Sequence, residues 1–446
     1  MYTANKKLYE KDWFMIDYNT KYCSFLDELC KKIEENDTDI ESIRKVGVML
    51  KANDFVEKQK KDFIEILLDY YSKSKKLRAK NIFLNEAEIL QKKIILKSKP
   101  RNIQVLLTNR CNLKCIICEV FSKQYTVSEK LISYIKENIP YLERIVWQGG
   151  EVFLYEKFDE LMELAGKNKV FQDIITNGLL LNEERIEKLS RYNVNLNISI
   201  DAVDKETYEE IRSGGNFDIL VRNLELLKKY KNINRGFQYK LGTVIINKNY
   251  EKIDDIVSFA IKYNFKTIIF QKYTPYKDKT LSLSEKQLNY TFNKIEDLKQ
   301  KSEKGMIPIE ICSDIVLENK EDQIVVKNEN SDNGIGNDTV IENNIFHENK
   351  DCCSNVYDDI NTISLEKESN LFCYAPWSIV YMLMNDEIAF SCRCRSIKPF
   401  EYEKEDIWNC KKVQEYRKNI VEKNLFECDI CKEFGDNFKY SKYGML

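Results

Sequence analysis

The chain has 446 residues with 70 Lys and Arg against 72 Asp and Glu, a formal net charge of -2. So even a balance gives no field that would draw in nucleic acid. Hydrophobic residues make up 43% and include 26 Tyr and 22 Phe, which excludes a chain too poor in apolar side chains to build a core; the length suits roughly two or three domains.

Fourteen Cys stand beside one His, so a metal site here rests on thiolate rather than imidazole. Met1-Tyr2-Thr3-Ala4 opens no charged-then-apolar leader, and no apolar run approaches membrane-spanning length. A cytoplasmic protein without membrane or nucleic-acid partners is expected, its clustered Cys holding metal rather than disulfides.

In chain order, residues 1–98 are predicted as a helical region. Leu26, Leu29 and Ile33 recur at helical spacing, as do Ile40, Ile43 and Val46, then Phe63, Ile66, Leu67 and Tyr70. Cys23 and Cys30 share a helix face and read as buried thiols. At Pro100 the rhythm changes. Strands are predicted at 103–107, 144–148, 173–176, 195–200, 240–246 and 267–270, with amphipathic helices at 128–138, 158–165, 183–192 and 253–263. Strands alternating with helices imply an α/β fold with a parallel sheet and right-handed crossovers. Six such units are too few for a closed eight-stranded barrel. Residues 284–306 read as one long polar helix, and 318–370, rich in Asn, Asp and Glu, as an insert or linker containing Cys352-Cys353. The expected divisions are 1–98, 99–283, 284–370 and 371–446.

Four short motifs follow the predicted strands. Cys111-Asn112-Leu113-Lys114-Cys115-Ile116-Ile117-Cys118 puts three thiols in eight residues after the first strand. That spacing suits either an iron–sulfur cluster with one iron left open or a zinc site. Trp147-Gln148-Gly149-Gly150-Glu151 follows the second strand, Thr176-Asn177-Gly178 the third, and Ser199-Ile200-Asp201 closes the fourth. All lie at strand C-termini, where parallel α/β folds place their ligands.

The order and spacing of these motifs over residues 100–275 resemble radical SAM enzymes. The resemblance implies a partial (β/α)6 TIM-like barrel. It implies a 4Fe–4S cluster held by Cys111, Cys115 and Cys118, with S-adenosylmethionine on the open iron. Gly149 and Gly150, in one motif with Glu151, would bind the methionine amine by letting the ligand approach the backbone. Ser199 and Asp201, and also Gln148, would meet the ribose; Asn177 would line the pocket. Arg212, in Ile211-Arg212-Ser213-Gly214-Gly215, would bind the carboxylate through its fork. The implied reaction is reductive cleavage to a 5′-deoxyadenosyl radical that abstracts hydrogen from substrate. Ile117 departs from the family, which usually has an aromatic residue there.

Residues 371–435 resemble the twitch/SPASM extension of the same family, which implies one auxiliary 4Fe–4S cluster on Cys373, Cys392, Cys428 and Cys431. Cys394 is an alternative to Cys392, and Glu387 stands where the family often has Gly. A flavodoxin- or ferredoxin-type electron donor is implied, as is a peptide, protein or sugar-like substrate. Two other readings stand beside this one: a non-enzymatic iron–sulfur electron carrier, and a zinc-stabilised interaction protein with a zinc knot at the C-terminal thiols. Cys410 and Tyr374 read as structural, and no acid, base or radical relay is identified.

Overall fold

The apolar runs after Pro100 become strands of one sheet. The structure is a computed structural model and describes residues 76–118, 124–231, 233–275, 278–315, 375–390, 396–402 and 405–422, together with 68, 72 and 317. The stripes at 26–70, Cys23 and Cys30, the 318–370 insert, and Cys373, Cys392, Cys394, Cys428 and Cys431 lie outside the described residues.

Helix α1 (Leu77–Leu90) leads into β1 (Asn102–Leu106), α2 (Glu129–Asn138), β2 (Arg144–Gln148), α3 (Phe158–Lys167), β3 (Phe171–Thr176), α4 (Glu183–Ser190) and β4 (Val194–Ser199). Two helices, α5 (Lys205–Ile211) and α6 (Phe217–Tyr230), cross to β5 (Gln238–Ile245); then come α7 (Ile253–Lys262), β6 (Thr267–Lys272), α8 (Glu285–Glu303) and β7 (Glu310–Ser313). The C-terminal segment adds β8 (Ile379–Met382), β9 (Ile388–Ala389) and α9 (Lys411–Val421). The sheet order is β7-β6-β5-β4-β3-β2-β1-β8-β9. All pairs are parallel except β8 with β9. This is an α/β fold with an open, partial barrel.

All six predicted strands are present. The count of six is corrected upward, because β7 and β8 also pair in parallel at the two flanks. Both are four-residue strands, too short to show a period of their own. The segment after 371, expected as a unit apart, places β8 against β1 with Asn102 opposite Ile379 and Val105 opposite Met382.

Local chemistry explains the helix starts. The side chains of Ser128, Asn182, Asp204 and Asn216 each accept from a backbone N–H three residues on, satisfying donors that the first turn leaves orphaned. Ser284 and Gln287 form a capping box on α8. One sheet face is dry: Ile145, Trp147, Ile174, Leu196, Ile198, Leu241 and Phe270 are fully buried, and Trp147 Nε1 donates to Gln172 Oε1 at 2.8 Å.

The other face is polar, and Asp173 is its centre. It pairs with Arg144 at 2.6 Å, accepts from Asn195 Nδ2 at 2.7 Å, and lies 4.0 Å from Lys240 Nζ. Burial works against the Asp173 carboxylate, but Arg144 and Lys240 outweigh it and hold its pKa below the usual value.

Arg101 ties the barrel to α1. Its guanidinium bonds Glu143 and Glu86, all three side chains being buried, and its N–H donates to Ser378 O at 2.9 Å. Arg101→Met would leave two buried carboxylates without a counter-charge. A stability loss of about 3–5 kcal/mol is expected by urea denaturation, against little change for an exposed pair such as Lys136–Glu160.

Candidate cluster-binding site

Leaving β1, the chain runs through Leu107 into the thiol loop, which is pinned from two sides. Gly150 N–H donates to Thr108 O at 2.7 Å and Glu151 N–H to Arg110 O at 2.8 Å. From the opposite side, Lys114 N–H reaches Ser213 O at 2.8 Å and Ile116 N–H reaches Ile211 O at 2.9 Å. The two glycines permit the first contact. A Cβ on Gly149, whose φ is 154°, would stand 2.2 Å from Thr108 O, and one on Gly150 would stand 2.3 Å from Arg110 O. The loop's own backbone fills the space beside the two Cα atoms.

Cys111 and Cys118 are exposed and Cys115 half-buried. N–H groups face two of the sulfurs. Cys111 Sγ has Leu113 N at 3.4 Å and Asn177 Nδ2 at 3.9 Å, and Cys115 Sγ has Arg212 Nη1 at 4.0 Å. Burial pushes both thiols up, while the Leu113 N–H at Cys111 and the Arg212 charge at Cys115 pull the other way. Among the described residues, no three Cys, His, Asp or Glu side chains converge on one ion. A cubane offers each thiolate its own iron, so its sulfurs need not converge on one point. The donor set, three thiolates on a pinned loop with N–H groups beside them, fits a 4Fe–4S cluster.

The remaining predicted residues divide into two groups. Gln148 is buried at the end of β2 and Ser199 half-buried at the end of β4. Asn177 joins the loop directly: its Nδ2 donates to Asn112 Oδ1 at 2.8 Å, and its Oδ1 accepts from Leu179 N in a turn completed by Gly178 at φ 78°. Two carboxylates are committed inside the protein. Glu151, fully buried, accepts from Thr176 Oγ1 at 2.8 Å and Asn177 N at 2.9 Å. Asp201, also fully buried, accepts from Val244 N at 2.8 Å and pairs with Arg212 at 2.7 Å. β4 ends at Ser199, and Asp201 lies just beyond it. Burial works against the Arg212 charge, but Asp201 outweighs it and keeps the guanidinium protonated. Ile117 packs against the core.

Asn112 and Thr176 join the site from within the sequence motifs, where they carry no assigned role, and Val244 joins it with no signal of its own in the sequence. Tyr125 and Asp386 connect it to the C-terminal strands. Tyr125 N–H donates to Asn109 Oδ1 at 2.8 Å, and its hydroxyl donates to Asp386 Oδ1 at 2.9 Å across 261 residues. At Glu387 φ is -68°, so glycine is not required there. The left-handed residues of that turn are Asn385 and Asp386, types that tolerate the conformation.

Residues 105–260 match the profile of the radical SAM superfamily. The chain is 31% identical over 173 residues to a GTP 3',8-cyclase of Synechocystis sp., covering 36% of this chain and 51% of that one. It is 31% identical over 164 residues to the mycofactocin maturase MftC of Mycolicibacterium smegmatis, covering 35% and 41%. The chain thus spans about half the length or less of these two relatives. Among solved structures it resembles Streptococcus suis SuiB bound to precursor peptide SuiA, with a TM-score of 0.50 and 15% identity over 76% of this chain and 70% of that one, a likeness of fold. No helix among the described residues is long and apolar enough to cross a membrane.

Gly150→Ala should displace the Arg110 backbone and spoil the loop while leaving the sheet intact. The expected outcome is at least a severalfold fall in iron retained by the first site after anaerobic reconstitution, with an unchanged far-UV circular dichroism spectrum.

Proposed function

We propose that this protein is a radical SAM enzyme that begins a modification or oxidation of its substrate by abstracting a hydrogen atom. The observation that carries this is the thiol loop: Cys111, Cys115 and Cys118 stand at the C-terminal end of β1, pinned by backbone on both flanks, with N–H groups beside two sulfurs. Cys111, Cys115 and Cys118 would hold a 4Fe–4S cluster, which would supply the electron for reductive cleavage of S-adenosylmethionine to the 5′-deoxyadenosyl radical.

The chain's own residues hold and orient. Gly149 and Gly150 bring the loop onto the barrel rim. Glu151 braces β2 against β3 through Thr176 and Asn177. Gln148, Asn177 and Ser199 are the side chains we assign to the S-adenosylmethionine pocket, Ser199 toward the ribose. Arg212 and Asp201 act from beneath the loop. Cys373, Cys392, Cys428 and Cys431, with Cys394 as the alternative to Cys392, are assigned to one auxiliary 4Fe–4S cluster. A peptide, protein or sugar-like substrate and a flavodoxin- or ferredoxin-type donor complete the reading. The apolar and polar halves of the barrel wall suit it, since the polar face presents Asp173, Asn195 and Lys240 to the barrel interior.

Two measurements test this. Anaerobically reconstituted protein should hold about eight irons and eight sulfides per chain, falling to about four when Cys111, Cys115 and Cys118 are all replaced by Ala. A wild-type value near half that, with zinc present, would point to the zinc reading of the C-terminal thiols. Reduced with dithionite, the protein should convert S-adenosylmethionine to 5′-deoxyadenosine and methionine, slowly even without substrate. Cys115→Ala should abolish the conversion. An iron-loaded protein that forms no 5′-deoxyadenosine would leave the electron-carrier reading standing.

A further inference from the structure

Cys115 and Arg212 face each other across a short backbone pairing. Lys114 N–H and Ile116 N–H, on either side of Cys115, donate to Ser213 O and Ile211 O, on either side of Arg212. The two side chains therefore meet by backbone register rather than by chance of rotamer. Arg212 closes the C-terminal end of α5, its N–H donating to Tyr208 O at 2.8 Å and its carbonyl accepting from Gly215 N–H at 2.7 Å.

The guanidinium is buried and ion-paired through one of its arms. Nη2 pairs with Asp201 at 2.7 Å, Nη1 faces Cys115 Sγ at 4.0 Å, and buried Nε has no hydrogen-bond partner among the described residues. Asp201 is itself fixed, since Val244 N–H holds its other oxygen. This is a poor arrangement for a fork offered to a ligand's carboxylate, because Asp201 already occupies one arm. It is a good arrangement for placing a fixed positive charge beside a sulfur. Cys111 has the neutral counterpart, Asn177 Nδ2 at 3.9 Å.

We propose that Arg212, held by Asp201, is a positioning residue whose charge beside Cys115 sets the reduction potential of the cluster on Cys111, Cys115 and Cys118. The proposal rests on the cluster reading above. The physics is direct. Reduction adds negative charge to the cluster, and a nearby cation in a region of low dielectric favours the reduced state. Hydrogen bonds to the sulfurs and local charge are among the levers that set such potentials. Asp201 opposes the same effect from further away, and removing it strips Arg212 of its counter-charge.

The test is an EPR-monitored redox titration of the full chain, reconstituted anaerobically. The first cluster is recognised as the reduced signal that changes when S-adenosylmethionine is added. Arg212→Met should lower the equilibrium constant for reduction at least tenfold, which is 59 mV for one electron. Asp201→Asn, which keeps the shape and loses the charge, should move it in the opposite direction. Arg212→Lys should stay near wild type. Iron and sulfide at the first site should be unchanged in all three.

Shifts of the same sign in Arg212→Met and Asp201→Asn, or no shift in either, would overturn the proposal. So would an unchanged potential combined with a tenfold loss of S-adenosylmethionine binding in Arg212→Met, which would make Arg212 a ligand to the carboxylate. If Arg212→Met lost its cluster, the upward shift of Asp201→Asn against the wild-type-like value of Arg212→Lys would decide the sign. Wild-type protein that assembled no cluster on these thiols would bring down the cluster reading itself, and this inference with it.

Discussion

A loop that carries three thiols has to be held before any iron arrives, and here the backbone holds it. On one side, Gly149 and Gly150 let β2 approach the loop so closely that Thr108 and Arg110 accept N–H bonds from Gly150 and Glu151. On the other, Lys114 and Ile116 bond to Ser213 and Ile211 beyond β4. A side chain at either glycine would break the first contact, because its Cβ would stand 2.2 Å from Thr108 O at Gly149 or 2.3 Å from Arg110 O at Gly150. The positions of the sulfurs, and of every group that faces them, follow from this clamp.

Two buried carboxylates extend the clamp into the barrel. Glu151 joins the end of β2 to the end of β3, and Asp201 joins β5 to Arg212 beneath the loop. Each would be costly to bury alone; Glu151 accepts from backbone N–H groups and Thr176, and Asp201 accepts from the Val244 N–H and pairs with Arg212. Their role is to fix the groups that do face the loop, Asn177 and Arg212, in the manner of outer-shell partners at metal sites. The third connection runs outward. Tyr125 links Asn109, two residues before Cys111, to Asp386 in the turn between β8 and β9. The C-terminal strands are thereby joined to the thiol loop as well as to β1.

Much of this was legible in the sequence. Apolar runs such as Ile103–Leu107 and the helical stripes between them have a strong period, so the six strands and four of the helices between them were placed within two residues of their observed ends, while α5 and α6 were not placed. The thiol motif, the Gly149-Gly150 pair and Asn177 were also legible, because cluster ligation and close backbone approach restrict residue type. What the glycines make room for was not. Space around a Cα belongs to whatever packs there, and the fold shows the loop backbone beside both glycines.

The sequence by itself determined the alternation of strand and helix, the strand ends that carry the motifs, and the donor chemistry of Cys111, Cys115 and Cys118, since these depend on local period and residue type. The tertiary structure decided the rest. It added β7 and β8 to the two sides of the sheet, four-residue strands whose pairing depends on neighbours distant in the chain. It turned Asp201 inward to Arg212 and set Arg212 opposite Cys115, a pairing across 97 residues. Contacts of that span are fixed by how elements pack, and no local pattern encodes them.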